Sequence, residues 1–146
     1  MKDIIIREIE YGSKEYKDEL EIRNRVLRLP LGLDIYDEDL KAEKDDTHLG
    51  AFYGGRLAGV LVLTPIKEGH ARMRQVAVDD GLRSRGIGKM LVNHAEGLLR
   101  SGGCKEIMLH SRMTSMDFYK RQGYTVTSEV FTEVMIPHVE MRKQLD

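Results

Sequence analysis

The chain has 146 residues, of which 41% are hydrophobic and 32% charged, with a formal net charge of −1 at pH 7. These values suit one globular domain over residues 1–146 and exclude a disordered chain, since a chain of this length buries about 70% of its unfolded surface. The near-zero charge speaks against a strongly basic nucleic-acid or membrane binder, and no apolar run reaches the roughly 20 residues of a membrane helix. Arg7 and Glu8 cut the apolar start short, so no signal peptide is expected. The single cysteine, Cys104, has no intramolecular partner, which suits a reducing, cytoplasmic setting.

In chain order, Ile4-Ile5-Ile6 and Ile9 predict a first strand. Ser13 is a candidate N-cap for a helix carrying Tyr16, Leu20, Arg23 and Leu27 at helical spacing, with Pro30 as its stop. A short second helix is expected around Asp37–Glu43. Thr47–Tyr53 and Arg56–Thr64 are β-prone runs joined by Gly54-Gly55, a hairpin signal. A fourth strand over Ala71–Val78 leads through Asp79-Asp80-Gly81 into a helix from about Gly86 to Arg100, with Ile87, Leu91, Ala95 and Leu98 on one stripe. Lys105–His110 predicts a fifth strand, Ser115–Arg121 a short helix, and Tyr124–Phe131 with Ile136–Arg142 a closing pair of strands. This order gives a mixed α/β domain.

Chemistry concentrates where the fourth strand enters the second long helix. A helix N-terminus leaves backbone N–H groups unpaired and carries partial positive charge. In Arg83-Ser84-Arg85-Gly86-Ile87-Gly88-Lys89 the two glycines let an anion approach that backbone, while the arginines and Lys89 add formal charge. A pyrophosphate is the expected guest. The dinucleotide fingerprint fails for want of its third glycine, and the P-loop pattern is absent.

Arg83-Ser84-Arg85-Gly86-Ile87-Gly88, after the Val76-Ala77-Val78 strand, resembles the acetyl-CoA motif of the GCN5-related N-acetyltransferases, the GNAT superfamily. Phe118-Tyr119-Lys120-Arg121-Gln122-Gly123-Tyr124 is similar to the second signature of that family, and a helix and a strand separate the two motifs as the family requires. Val26–Gly32 and Ile136–Met141 are similar to the bacterial ElaA/YjcF-like members. The resemblance implies a mostly antiparallel sheet that splays between its fourth and fifth strands. In the gap, the pantetheine arm of acetyl-CoA would pair with the backbone of Val76, Ala77 and Val78. Arg83, Ser84, Arg85, Gly86, Ile87, Gly88 and Lys89 would hold the pyrophosphate. The implied reaction is direct attack of an amine on the thioester, with a backbone N–H near Val76 stabilising the oxyanion and Tyr119 protonating the leaving thiolate.

The fourth strand departs from relatives that carry a glutamate there, reading Ala71-Arg72-Met73-Arg74-Gln75. The remaining candidates for a general base are His110, Glu133 and His138. No metal is expected, because the five histidines and Cys104 do not fall at metal-ligand spacing. The stretch from Asp34 to Asp46 holds seven carboxylates and two lysines. It reads either as a solvated face or as a rim that draws a cationic small-molecule amine. A homodimer is the assembly to test. Two other functions remain open: a non-catalytic acyl-CoA-binding sensor or partner module, and a protein N-acetyltransferase.

Overall fold

The computed structural model describes residues 3–146, except that the side chains of Arg83 and Ser84 lie outside the described residues. The elements follow the hydrophobic pattern closely at first. β1 (Ile4–Ile9) leads to α1 (Lys14–Leu27), whose N-terminus is capped by Ser13 accepting from the Tyr16 N–H at 3.2 Å. α1 ends before Pro30, which sits inside a short 3₁₀ turn, Leu29–Leu31. β2 (Thr47–Tyr53) and β3 (Arg56–Lys67) form the expected Gly-Gly hairpin, and β4 (His70–Val78) pairs antiparallel with β3.

A 3₁₀ turn, Asp80–Arg85, precedes α2 (Ile87–Ser101). β5 (Glu106–Arg112), α3 (Met116–Arg121), β6 (Thr125–Val126), β7 (Phe131–Glu133) and β8 (Ile136–Gln144) complete the chain. Among the described residues the sheet has eight strands, in the order β1-β2-β3-β4-β5-β8-β6, with β7 also on β8. β4 and β5 are the parallel neighbours. No helix among the described residues is long and apolar enough to cross a membrane.

Two expectations change. The acidic stretch forms two 3₁₀ turns, Ile35–Asp37 and Leu40–Glu43, instead of one helix. The side chains of Asp34 and Asp39 accept the Tyr36 and Lys41 N–H groups at 3.0 and 3.1 Å, and each restarts the chain where a helix would have continued. The predicted strand Tyr124–Phe131 splits into β6 and β7. Between them, Thr127 and Ser128 turn their hydroxyls onto Glu140, at 2.7 Å to its carboxylate and 2.8 Å from its backbone N–H, and draw the chain out of the ladder.

The core has two faces. Leu61, Met73, Leu91 and Ile107 pack on the side covered by α2 and α3, whereas Tyr16, Leu20, Val60 and Ala77 pack on the α1 side. Met73 and Ala77 are four residues apart, a spacing that would keep both on one face of a regular strand. A bulge moves Ala77 across: Val60 faces Ala77 and Val62 faces Arg74, so β4 carries an extra residue, and Gln75 has φ 58°.

On the α1 side, Arg23 is buried at 1% exposure and donates to Glu19 at 2.8 Å and to both carboxylate oxygens of Glu43 at 2.6 and 3.0 Å. Tyr16 donates to Glu43 at 2.6 Å, and the His48 ring reaches Glu19 at 2.8 Å and the Glu43 carbonyl at 2.9 Å. Ligand atoms of Glu19, Glu43 and His48 thus lie within 4.8 Å of one another, a proximity that sequence spacing did not reveal. The Arg23 guanidinium is a cation among them, and His48 meets an oxygen at each ring nitrogen, with burial outweighed by Glu19 so that its pKa is raised. Burial by itself would raise the Glu43 pKa, but Arg23 and Tyr16 hold it below the usual carboxylate value.

Glu43→Ala leaves a buried guanidinium half-compensated and is expected to cost about 3–5 kcal/mol by urea denaturation. The depressed Glu43 pKa means that its stabilisation is complete above the unfolded value of about 4.3 and is lost as pH falls through the folded value. The variant should therefore show a shallower loss of stability on acidification below that range than the parent.

Candidate functional site

β4 and β5 pair only at His70–Glu106, Ala71–Ile107 and Arg72–Met108, and beyond these residues the strands separate. A cavity of about 300 Å³ opens at the separation, walled by the end of α1, the two strands, α3 and the β7–β8 hairpin. Val76 lines it, Ala77 is buried behind it and Val78 is half-buried. The bulged Gln75 also lines it, and Arg28 donates to the Gln75 side-chain oxygen at 3.1 Å.

Tyr119 reaches the cavity from α3 and is otherwise buried, edge-on to both Phe118 and Tyr124 at ring distances of 5.0 and 5.9 Å. Burial pushes its pKa well above the ordinary tyrosine value, so the phenol stays protonated at neutral pH. Among the described residues no side chain or carbonyl takes up the Tyr119 hydroxyl.

The three base candidates, distant in sequence, meet on the opposite wall. His110 Nδ1 lies 2.8 Å from Glu133 Oε1 and 3.0 Å from Arg72 Nη2. One ring nitrogen cannot donate and accept at once. With the Nδ1 proton directed at the nearer carboxylate, the neutral ring keeps its lone pair at Nε2, and Arg72 then faces Nδ1 without a hydrogen bond. Burial would raise the Glu133 pKa, but the His110 hydrogen bond and the charges around it keep it below the usual value. His138 donates from Nδ1 to the Ile136 carbonyl at 2.9 Å, and its Nε2 stands 3.8 Å from Glu133, beyond hydrogen-bond range. Ser111, next to His110, is buried and bonds the Arg112 carbonyl at 2.8 Å, away from the imidazole.

The glycine-rich segment divides by function. Gly86 is left-handed at φ 74° and caps α2, and a Cβ there would meet nothing within 4 Å. A Cβ at Gly88 would stand 3.3 Å from Phe118, so this glycine also lets α2 approach α3. The Ile87 side chain is wholly buried, which leaves only its backbone N–H for an anion. Arg85 and Lys89 are exposed beside the helix start, and the side chains of Arg83 and Ser84 lie outside the described residues.

The acidic stretch is largely spent on structure. Asp34 and Asp39 cap turns, Glu43 is buried on Arg23, and Asp46 lies 3.7 Å from Arg74. Only Glu38 of this stretch lines the cavity, and it is paired with Arg28. Arg28, Arg72, Arg74 and Arg112 line the same space. Asp34, Asp39, Glu43, Asp46 and Glu38 of the stretch thus have partners within the chain, whereas Asp37 is exposed and does not line the cavity. Sequence reasoning missed Arg28 and Arg112 in this role, because the end of α1 and β5 meet only in the folded chain.

Residues 13–124 match the family model described as the acetyltransferase (GNAT) family. The chain belongs to this family. It is an acyltransferase with relatives along its whole length. It is 26% identical over 144 residues to the uncharacterized N-acetyltransferase YjcF of Bacillus subtilis (strain 168), covering 98% of this chain and 99% of that one. To the uncharacterized N-acetyltransferase YitI of the same organism it is 30% identical over 146 residues, covering 94% and 97%. Escherichia coli ElaA shares the fold with a TM-score of 0.80 at 18% identity, over 98% of this chain and 99% of that one. The separation of β4 from β5 is thus the splay that the GNAT resemblance implied.

Proposed function

We propose that this acyltransferase moves an acetyl group from acetyl-CoA to the nitrogen of a small primary amine by direct attack. The separation of β4 from β5, with Tyr119 buried at one wall and the His110–Glu133 pair at the other, is the observation that supports this reading most strongly. The pantetheine arm lies along the freed edge of β4 at Val76, Ala77 and Val78, satisfying backbone groups that β5 leaves unpaired. The pyrophosphate rests on the first turn of α2, where Gly86, Ile87, Gly88 and Lys89 offer N–H groups and Arg83, Ser84 and Arg85 flank it.

In the proposed reaction, His110 Nε2 accepts a proton from the incoming ammonium, and the neutral nitrogen attacks the thioester carbonyl. The developing oxyanion is met by the backbone N–H near Val76. As the new C–N bond forms and the C–S bond breaks, Tyr119 delivers its proton to the departing sulfur and the coenzyme leaves as a thiol. As the amide forms the nitrogen loses its second proton, which restores the Tyr119 phenol by way of solvent, and His110 releases the first proton to solvent. These steps call for no metal ion.

Gly86→Asp places a carboxylate at the pyrophosphate and should weaken coenzyme A binding by at least about tenfold in calorimetry, with the circular dichroism spectrum retained. Tyr119→Phe should lower kcat by about 10²–10⁴-fold while the affinity for coenzyme A stays near the parent value. Retained binding and unchanged kcat would assign the acid role to another group. Coenzyme A binding without any thiol release, in the parent itself, would favour the non-catalytic module.

Glu133→Gln removes the acceptor that fixes the His110 tautomer. It should cut kcat by about tenfold or more at neutral pH, with the deficit shrinking as pH rises toward the pKa of the amine, because the acceptor then arrives already neutral. A deficit constant with pH would make the pair a scaffold only.

A further inference from the structure

The four arginines of the cavity differ in what they are bonded to. Arg28 is held by Glu38 and Gln75. Arg74 donates to Thr64 at 3.3 Å and has Asp46 at 3.7 Å. Arg72 comes no nearer to a carboxylate than 3.9 Å, at Glu133, whose other bond is to His110, and Arg72 Nε is buried with no partner. Arg112 donates to the Leu27 carbonyl at 3.1 Å and forms no ion pair among the described residues. Of the four, Arg112 is thus the guanidinium that no carboxylate answers among the described residues, and Arg72 is answered only at 3.9 Å.

Such an arrangement costs free energy in an empty site. Burial lowers the Arg112 pKa and the neighbouring Arg28 lowers it further, with no carboxylate acting against them. For Arg72, burial also prevails, with Glu133 opposing it and Arg74 adding to it. A guanidinium kept half-buried beside another guanidinium is stabilised by an incoming oxyanion, which its planar fork matches in shape as well as charge. None of the described residues at the start of α2 lines this cavity, so the pyrophosphate seat is a separate place.

We propose that the acceptor is a primary amine that also carries an oxyanion group, held by Arg112 and Arg72, with the amine directed at the thioester. This inference rests on the acyl-transfer reading for the amine and on the cavity alone for the oxyanion. It reverses the charge that the acidic stretch suggested. Arg72 stands on β4 at the last rung of the ladder and Arg112 at the end of β5, and both line the cavity.

The test compares α- and ω-amino acids, aminoalkyl phosphates, and alkylamines and diamines of matching length. Thiol release from acetyl-CoA is measured for each, and each is titrated calorimetrically into the protein loaded with coenzyme A. The anionic amines should exceed the alkylamines in kcat/KM by about tenfold or more, and the better of the two anionic series identifies the oxyanion as carboxylate or phosphate. Arg112→Met should cut the ratio of kcat/KM between the anionic amine and the matching alkylamine by at least about tenfold, and Arg112→Lys should restore part of it.

Arg72→Met, assayed in the same way, serves should the first variant fail to fold. A preference for diamines, or a ratio that both variants leave unchanged, overturns the proposal. Selective binding of anionic amines without thiol release supports the oxyanion site and overturns the acyl-transfer reading. Thiol release without charge selectivity does the reverse.

Discussion

Everything functional in this molecule depends on a ladder that stops early. Three parallel residue pairs join β4 to β5, and then the strands part although both continue. A sheet that opens in its middle gives up hydrogen bonds and exposes polar backbone, which is stable only if something else holds the halves in place. Here the end of α1 acts as the wedge. Arg28 bonds the bulged Gln75 on β4, and the Leu27 carbonyl receives Arg112 from β5, so one helix terminus grips both sides of the gap. On the other face α3 fills the opening with Tyr119, packed on Phe118 and Tyr124.

The strands, α1 and α2 were legible in the sequence because each buries one regular face, and regular burial leaves a period of two or of 3.6 in the residue pattern. The start of α2 could be read for a different reason: close backbone approach demands glycine at fixed positions, and Gly86 and Gly88 stand where turn and packing require them. The bulge at Gln75 leaves no such trace. Glutamine carries no preference for φ 58°, and the face switch from Met73 to Ala77 looks in sequence like an ordinary apolar alternation. Nor could the meeting of His110 with Glu133 be read, since it depends on the register of β7 on β8 and of β8 on β5.

Charge was the least transparent property. Counted along the chain, residues 34–46 look like a negatively charged rim. In the fold, short aspartates cap turns and Glu43 disappears into the Arg23 cluster, because local N–H groups and a buried guanidinium compete for carboxylates more strongly than water does. The cavity takes its character instead from arginines contributed by α1, β4 and β5. Like-signed side chains scattered over three elements produce a local field that no linear charge window reports.

The loop between α1 and β2 is fastened at its two ends and at Glu38, which Arg28 holds. Asn24 accepts the Ile35 N–H at 2.9 Å at one end, and Arg23 and Tyr16 clasp Glu43 at the other. Between them, Tyr36, Asp37, Glu38 and Asp39 are exposed. Substitutions at such exposed positions usually change stability by no more than about 0.5 kcal/mol. Tyr36 and Asp37 can thus be replaced while the buried ions and the Arg28–Glu38 pair keep the loop in place. The surface beside the cavity can vary here without first passing through an unfolded protein.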